Sequence, residues 1–145
     1  MTAQRSAPKT SRPSRSNEEV VRGAIERFNS GDIEGSIAYW RPDGEFHELP
    51  YAPDAGTYRG HDGLRRFQKR VADAFDEVRY EIEELIEQGD RVFISVRMKA
   101  RGRDTGIPID LSFFSVYEVD GGKLAVHRGF MERDEALRAA GIEGG

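Results

Sequence analysis

The residues able to do chemistry in this chain are few, and they gather first in Glu45-Phe46-His47-Glu48-Leu49-Pro50. A carboxylate among bulky apolar neighbours is costly to ionise, so it must be solvated, paired or put to use. Strand alternation puts Phe46 and Glu48 on one face and His47 on the other, so the neighbouring His47 and Glu48 are not a dyad. A second imidazole, His127, shares a strand face with Gly129 and Met131. Within reach of Glu48 it would complete an acid/base pair suited to dehydration, isomerisation or cyclisation. Each residue also has a structural alternative. His127 could be hydrogen-bonded within the sheet, and Glu48 could be paired with an arginine from a neighbouring strand.

Other chemistries are poorly served. With no cysteine there are no disulfides and no thiolate ligands. The three histidines, His47, His61 and His127, supply no close ligand pair on one face, so no metal and no cofactor is expected.

The elements that must position Glu48 and His127 follow from periodicity. Ser16-Asn17-Glu18-Glu19 reads as a capping box. Val20, Val21, Ala24, Ile25 and Phe28 then recur on one helical face, and Gly31 supplies the stop. Asp32 opens a shorter helical run through Ile33, Ile37 and Trp40, and Pro42-Asp43-Gly44 is a turn leading into a strand over 45–49. Residues 50–60 read as a loop. A helix from about His61 to Phe75 carries Leu64, Phe67, Val71 and Phe75 as its apolar stripe.

From there the period changes to two. Val78, Tyr80 and Ile82 alternate with charges, and so do Val92, Ile94, Val96 and Met98. Hairpin turns fall at Gln88-Gly89-Asp90 and Asp120-Gly121-Gly122. The strand over about 107–119 is apolar on both faces, with Phe114 and Val116 on one and Leu111, Phe113 and Tyr117 on the other. A last strand covers about 123–132, and Asp134–Ala140 forms a closing helix ended by Gly141. A strand apolar on both sides must be covered on both. The expected outer cover is a second copy of the chain, a homodimer through Phe93, Leu111, Phe113 and Tyr117.

At 145 residues the chain is one domain's worth, and no window approaches the roughly 20 apolar residues of a membrane span. Without a secretory hydrophobic region, the expected location is cytoplasmic. Net charge is −4, yet residues 1–16 hold Arg5, Lys9, Arg12 and Arg15 without an acid. They read as a disordered basic tail preceding a domain over 17–145. The acidic remainder has no basic stripe for phosphates, which disfavours nucleic-acid binding.

The order helix, short helix, strand, loop, helix and four-stranded meander resembles the SnoaL-like branch of the nuclear transport factor 2-like superfamily. Three segments carry the resemblance: Phe28-Asn29-Ser30-Gly31-Asp32-Ile33-Glu34-Gly35, Tyr58-Arg59-Gly60-His61-Asp62-Gly63-Leu64, and Glu135-Ala136-Leu137-Arg138-Ala139-Ala140-Gly141. It implies an α+β fold, a cone-shaped curved antiparallel sheet wrapped around three N-terminal helices, with a pocket inside and a short C-terminal helix. It also implies that Glu48 stands where the isomerases of the superfamily keep a catalytic Asp. By the same counting their two oxyanion donors fall on Ala24 and about Phe114, which cannot donate, so ketosteroid isomerase chemistry is disfavoured. The epoxide hydrolase relay of Asp-Arg-Asp finds no match on an inward strand face.

The site implied is Glu48 and His127 as catalytic groups, with a ligand-binding wall of Trp40, Phe46, Ile94, Val96, Met98, Phe114, Gly129 and Met131. The ligand expected is small and apolar, bearing a carbonyl. Folds of this kind host both enzymes and domains that only bind, so either a proton-transfer enzyme or a non-catalytic binding or dimerisation domain fits.

Overall fold

The computed structural model describes residues 16–49 and 56–142. The expected basic tail lies outside the described residues up to position 15, as do Pro50, Tyr51 and Pro53 of the loop. Ser16 opens helix α1 (Asn17–Asn29) with both halves of a capping box, its Oγ accepting from Glu19 N–H and its own N–H donating to Glu19 Oε1. Gly31, at φ +87°, turns the chain out of that helix in a conformation other residues resist. Asp32 then caps α2 (Ile33–Ile37), accepting from Gly35 N–H at 2.9 Å.

Strand β1 (Trp40–His47) starts earlier than its sequence suggests. Trp40 opens this strand instead of closing α2, and Pro42-Asp43-Gly44 lies inside it. Trp40 and Glu45 stand opposite Leu124 and Val126, so the extra residues bulge out of the ladder. A Cβ on Gly44 would come within 2.7 Å of the Trp40 ring, so glycine there leaves room for the indole.

The rest of the chain is β2 (Thr57–Arg59), α3 (Gly60–Ala74), β3 (Phe75–Gln88), β4 (Arg91–Gly102), β5 (Pro108–Asp120), β6 (Lys123–Phe130) and α4 (Arg133–Ala139). The six strands form one curved, unclosed sheet in the order β2-β1-β6-β5-β4-β3. The meander β3 to β6 is antiparallel as expected, but β1 joins β6 in parallel, so the sheet is mixed. Strand β2, within the segment read as a loop, pairs Tyr58 with Phe46. Bulges in β3 and β5 interrupt the register, and Glu77 takes φ +56° at the first of them. Such irregularities bend a sheet.

Two apolar clusters sit on opposite faces. The inner one gathers Val20, Val21 and Ala24 of α1, Ile37 of α2 and Leu64 of α3 against Val92, Ile94, Val96 and Met98 of β4. Asn29 clamps the end of α1 to β3, donating to the Tyr80 carbonyl and accepting from its N–H. The outer cluster packs Ala136, Leu137 and Ala140 against Phe93 and Val116, with Phe114 at its margin.

This corrects the face assignment of β5. Val96 pairs with Phe113 and Met98 with Leu111, so Leu111, Phe113 and Tyr117 point inward and Phe114 outward. The four residues expected to meet a second copy therefore share no surface. Phe93 is fully buried beneath α4, and the other three belong to the inner face. Helix α4 of the chain itself covers part of the outer face. Arg91 donates to the Ala139 carbonyl at 2.9 Å, and Arg133 forms a two-pronged pair with Glu84 while lying over the Phe93 ring. Beyond α4 this face carries ion pairs, Arg97 with Asp110, Lys99 with Glu81 and Arg128 with Glu118. Among the described residues Ile107 is the one large apolar side chain left exposed.

Candidate functional site

Between the helices and the inner face of the sheet lies a cavity of about 190 Å³. Trp40, Phe46, Glu48, Val96, Met98 and His127, all anticipated, line it. Four other anticipated residues do not. Ile94 is buried in the inner core beside it, and Met131 packs against that core from the edge. Phe114 faces away, stacked near Phe93 at 6.0 Å. Gly129 leaves no room for a ligand, because a Cβ there would meet the Leu49 side chain at 2.7 Å; Leu49 fills that space and lines the cavity itself.

The wall around Phe46 is aromatic. Its ring stacks on His127 at 4.0 Å and 9°, and Phe67 of α3 lies 4.3 Å from it. Strand β1 presents Phe46 and, two residues on, Glu48 to the same side, as alternation requires. Glu48 has a side chain only 15% exposed and is the one carboxylate among the described lining residues. Its partners come from β2 and α3. Tyr58 donates its hydroxyl to Glu48 Oε1 at 3.1 Å, and Arg70 donates Nη1 to the same oxygen at 3.0 Å. Arg70 also donates to the Tyr58 hydroxyl, closing a triangle.

His127 is engaged elsewhere. Its Nδ1 lies 3.1 Å from the His47 carbonyl, which can only accept, so Nδ1 carries the proton. Nε2 is then an acceptor, and Ser115 Oγ donates to it at 2.9 Å. The ring is 4% exposed, and burial pushes its pKa down to about 3, outweighing the stabilising bond to the His47 carbonyl. His127 is therefore a neutral imidazole with both nitrogens bonded. No hydrogen bond joins it to Glu48; the two share a cavity and not a proton.

The face correction brings in residues that the sequence reading passed over. Ser115 and Tyr117 line the cavity in place of Phe114. No described residue hydrogen-bonds to the Tyr117 hydroxyl, and burial raises its pKa, keeping it a donor. Gln68 also lines the cavity, and its Oε1 is buried without a partner. Both had sequence signals. Ser115 interrupts the apolar series Ile109, Leu111, Phe113, Tyr117, and Gln68 sits four residues after Leu64 on an apolar helix stripe.

His47 turns to the other side, between Thr57 at 3.0 Å and Glu45 at 3.3 Å. Arg59 holds the Glu45 carboxyl below the usual range, assisted by His47. His61 reaches the Trp40 carbonyl. Among the described residues no group of three potential ligands could hold a metal, and no helix is long and apolar enough to cross a membrane. The Arg97–Asp110 pair is on the outer face, away from the cavity.

Solved structures with this arrangement include a nuclear transport factor 2-like protein from Burkholderia thailandensis, 25% identical, covering 87% of this chain and 97% of its own, with a TM-score of 0.74. TerC, co-crystallised with polyporic acid, is 26% identical over 86% of this chain and 96% of its own, at a TM-score of 0.72. A putative polyketide cyclase from Xanthomonas campestris, 17% identical over 82% of this chain and 92% of its own, shares the fold at a TM-score of 0.67. No curated protein matches. Residues 21–127, from α1 to His127 itself, match the SnoaL-like domain, and the chain belongs to that family.

Proposed function

We propose that this chain binds a small, largely apolar, carbonyl-bearing molecule in the cavity, and that Glu48 transfers a proton on it, in chemistry of the isomerase, cyclase or dehydratase type. The observation that carries this reading is the one carboxylate among the described residues of an apolar cavity wall, held in place by Tyr58 and Arg70. A cavity of about 150 Å³ takes benzene. The space here suits one ring or two fused rings. The similarity to TerC, crystallised with polyporic acid, supports a small organic ligand.

Removing a proton beside a carbonyl builds negative charge on the carbonyl oxygen, which needs a donor. Ala24 and Phe114 cannot serve, but Tyr117 can, since burial keeps its hydroxyl protonated and no described residue hydrogen-bonds to it. His127, neutral and bonded at both nitrogens, fixes Ser115 and backs the Phe46 ring in this scheme. A second reading, a binding domain without chemistry, is favoured by one observation. Both hydrogen bonds to Glu48 are structural and fall on the same oxygen.

Deuterium uptake separates the two. With 2-tetralone as probe in D₂O, proton NMR is expected to show exchange beside the carbonyl accelerated by the wild type. Glu48→Gln should reduce that acceleration by about a hundredfold, the usual scale of general-base catalysis. Binding of 2-tetralone without accelerated exchange would leave the binding reading in its place.

A further inference from the structure

Gln68 is a polar side chain where α3 should be apolar. Its carboxamide makes no hydrogen bond to any described residue, and its oxygen is shut away from solvent. Buried polar groups are nearly always paired, because an unmet one keeps the cost of leaving water without recovering it. Here the side chain belongs to the cavity wall, to which Leu64 and Phe67 of the same helix also contribute. The terminal torsion of a glutamine is broad and two-fold, so the amide can turn either of its ends to the cavity. No described residue bonds either end, so exchanging oxygen and nitrogen creates no pair within the chain as described.

The geometry points to Gln68 as the residue that selects the ligand: the unpaired carboxamide meets a molecule whose carbonyl stands beside an N–H or O–H donor, as in a lactam or an enolised dicarbonyl. A carboxamide offers one acceptor and two donors in a plane. Its complement is an edge carrying a donor and an acceptor side by side. A bare ketone answers only half of it, and a hydrocarbon none. Of the other polar groups of the wall, the Tyr117 hydroxyl offers a single donor and cannot meet both halves of that edge. Ser115 and His127 satisfy each other, and Glu48 is held by Tyr58 and Arg70. The inference rests on the cavity being a ligand site and adds the class of ligand.

Dissociation constants from ligand-observed NMR on the full chain test it, with 2-quinolone, N-methyl-2-quinolone and naphthalene as probes. The wild type is expected to bind 2-quinolone ~10-fold more tightly than its N-methyl derivative, the scale of one or two net hydrogen bonds. In Gln68→Met that ratio should fall toward one. If the variant does not fold, the wild type still decides. The side-chain amide signals of Gln68 should shift with 2-quinolone and not with N-methyl-2-quinolone. Naphthalene binding with equal affinity for the two quinolones would overturn the role of Gln68 and leave the ligand site standing. Failure of all three probes to bind would overturn both.

Discussion

The two faces of β5 are built from the same kinds of residue and end differently. On the outer face Val116 is buried with Ala136 and Leu137 of α4, Phe114 packs at the margin of that cluster, and ion pairs take over where the helix ends. On the inner face Leu111, Phe113 and Tyr117 meet helices that stand off, leaving a cavity with an unbonded hydroxyl and an unbonded carboxamide. One face is covered in part by α4 of its own chain and carries ion pairs beyond it. The other keeps polar groups with no hydrogen-bond partner among the described residues. Packing to native density is the rule for protein interiors, and the proposed ligand site rests on the departure from it.

The contrast predicts a ranking of substitution effects. Leu137→Ala on the closed face should leave a hole in a filled space and cost about 2–5 kcal/mol in urea denaturation. His127→Gln should act through pH. The folded-state pKa of His127 lies near 3, below its ordinary 6.5, so between those values the unfolded chain holds the extra proton. Stability contributed by the neutral ring is complete above pH 6.5 and drains as pH falls through that window. Between pH 6.5 and 4.5 the wild type should lose ~2–3 kcal/mol more than His127→Gln, measured by denaturation at both pH values. Equal losses would mean that the ring is not sealed as described. Leu111→Ala, at the margin of existing open space, should cost the least, about 1–2 kcal/mol from lost burial alone. Should it match Leu137→Ala, the inner face would be packed as tightly as the outer one and the contrast would disappear.

Much of the architecture was legible because local chemistry agrees with it. The Ser16 capping box, the Gly31 stop and the period-two runs of β3 and β4 each follow from residues a few positions apart. Glu48 was legible as a cavity-lining residue for the same reason, since alternation puts it on the side of Phe46. The early start of β1 was less so. Trp40 continues a helical pattern, and a turn sequence follows it, yet pairing to β6 draws both into a bulged strand. Strand β2 has only three residues and is held by its partner rather than by its own propensity.

The sequence by itself determined that Glu48 shares a face with Phe46 and that His47 does not, because side-chain alternation is a property of any extended chain. It also determined where α1 begins and ends, since a cap is a contact between near neighbours. Only the tertiary structure decided which face of β5 looks inward, because that depends on its register against β4 and on α4 reaching back to cover the other side. The tertiary structure likewise gave Glu48 to Tyr58 and Arg70 and His127 to Ser115, and left Gln68 with no partner among the described residues. Those pairings join segments far apart in the chain, and the burial that gives them meaning exists only once the sheet has curved around the helices.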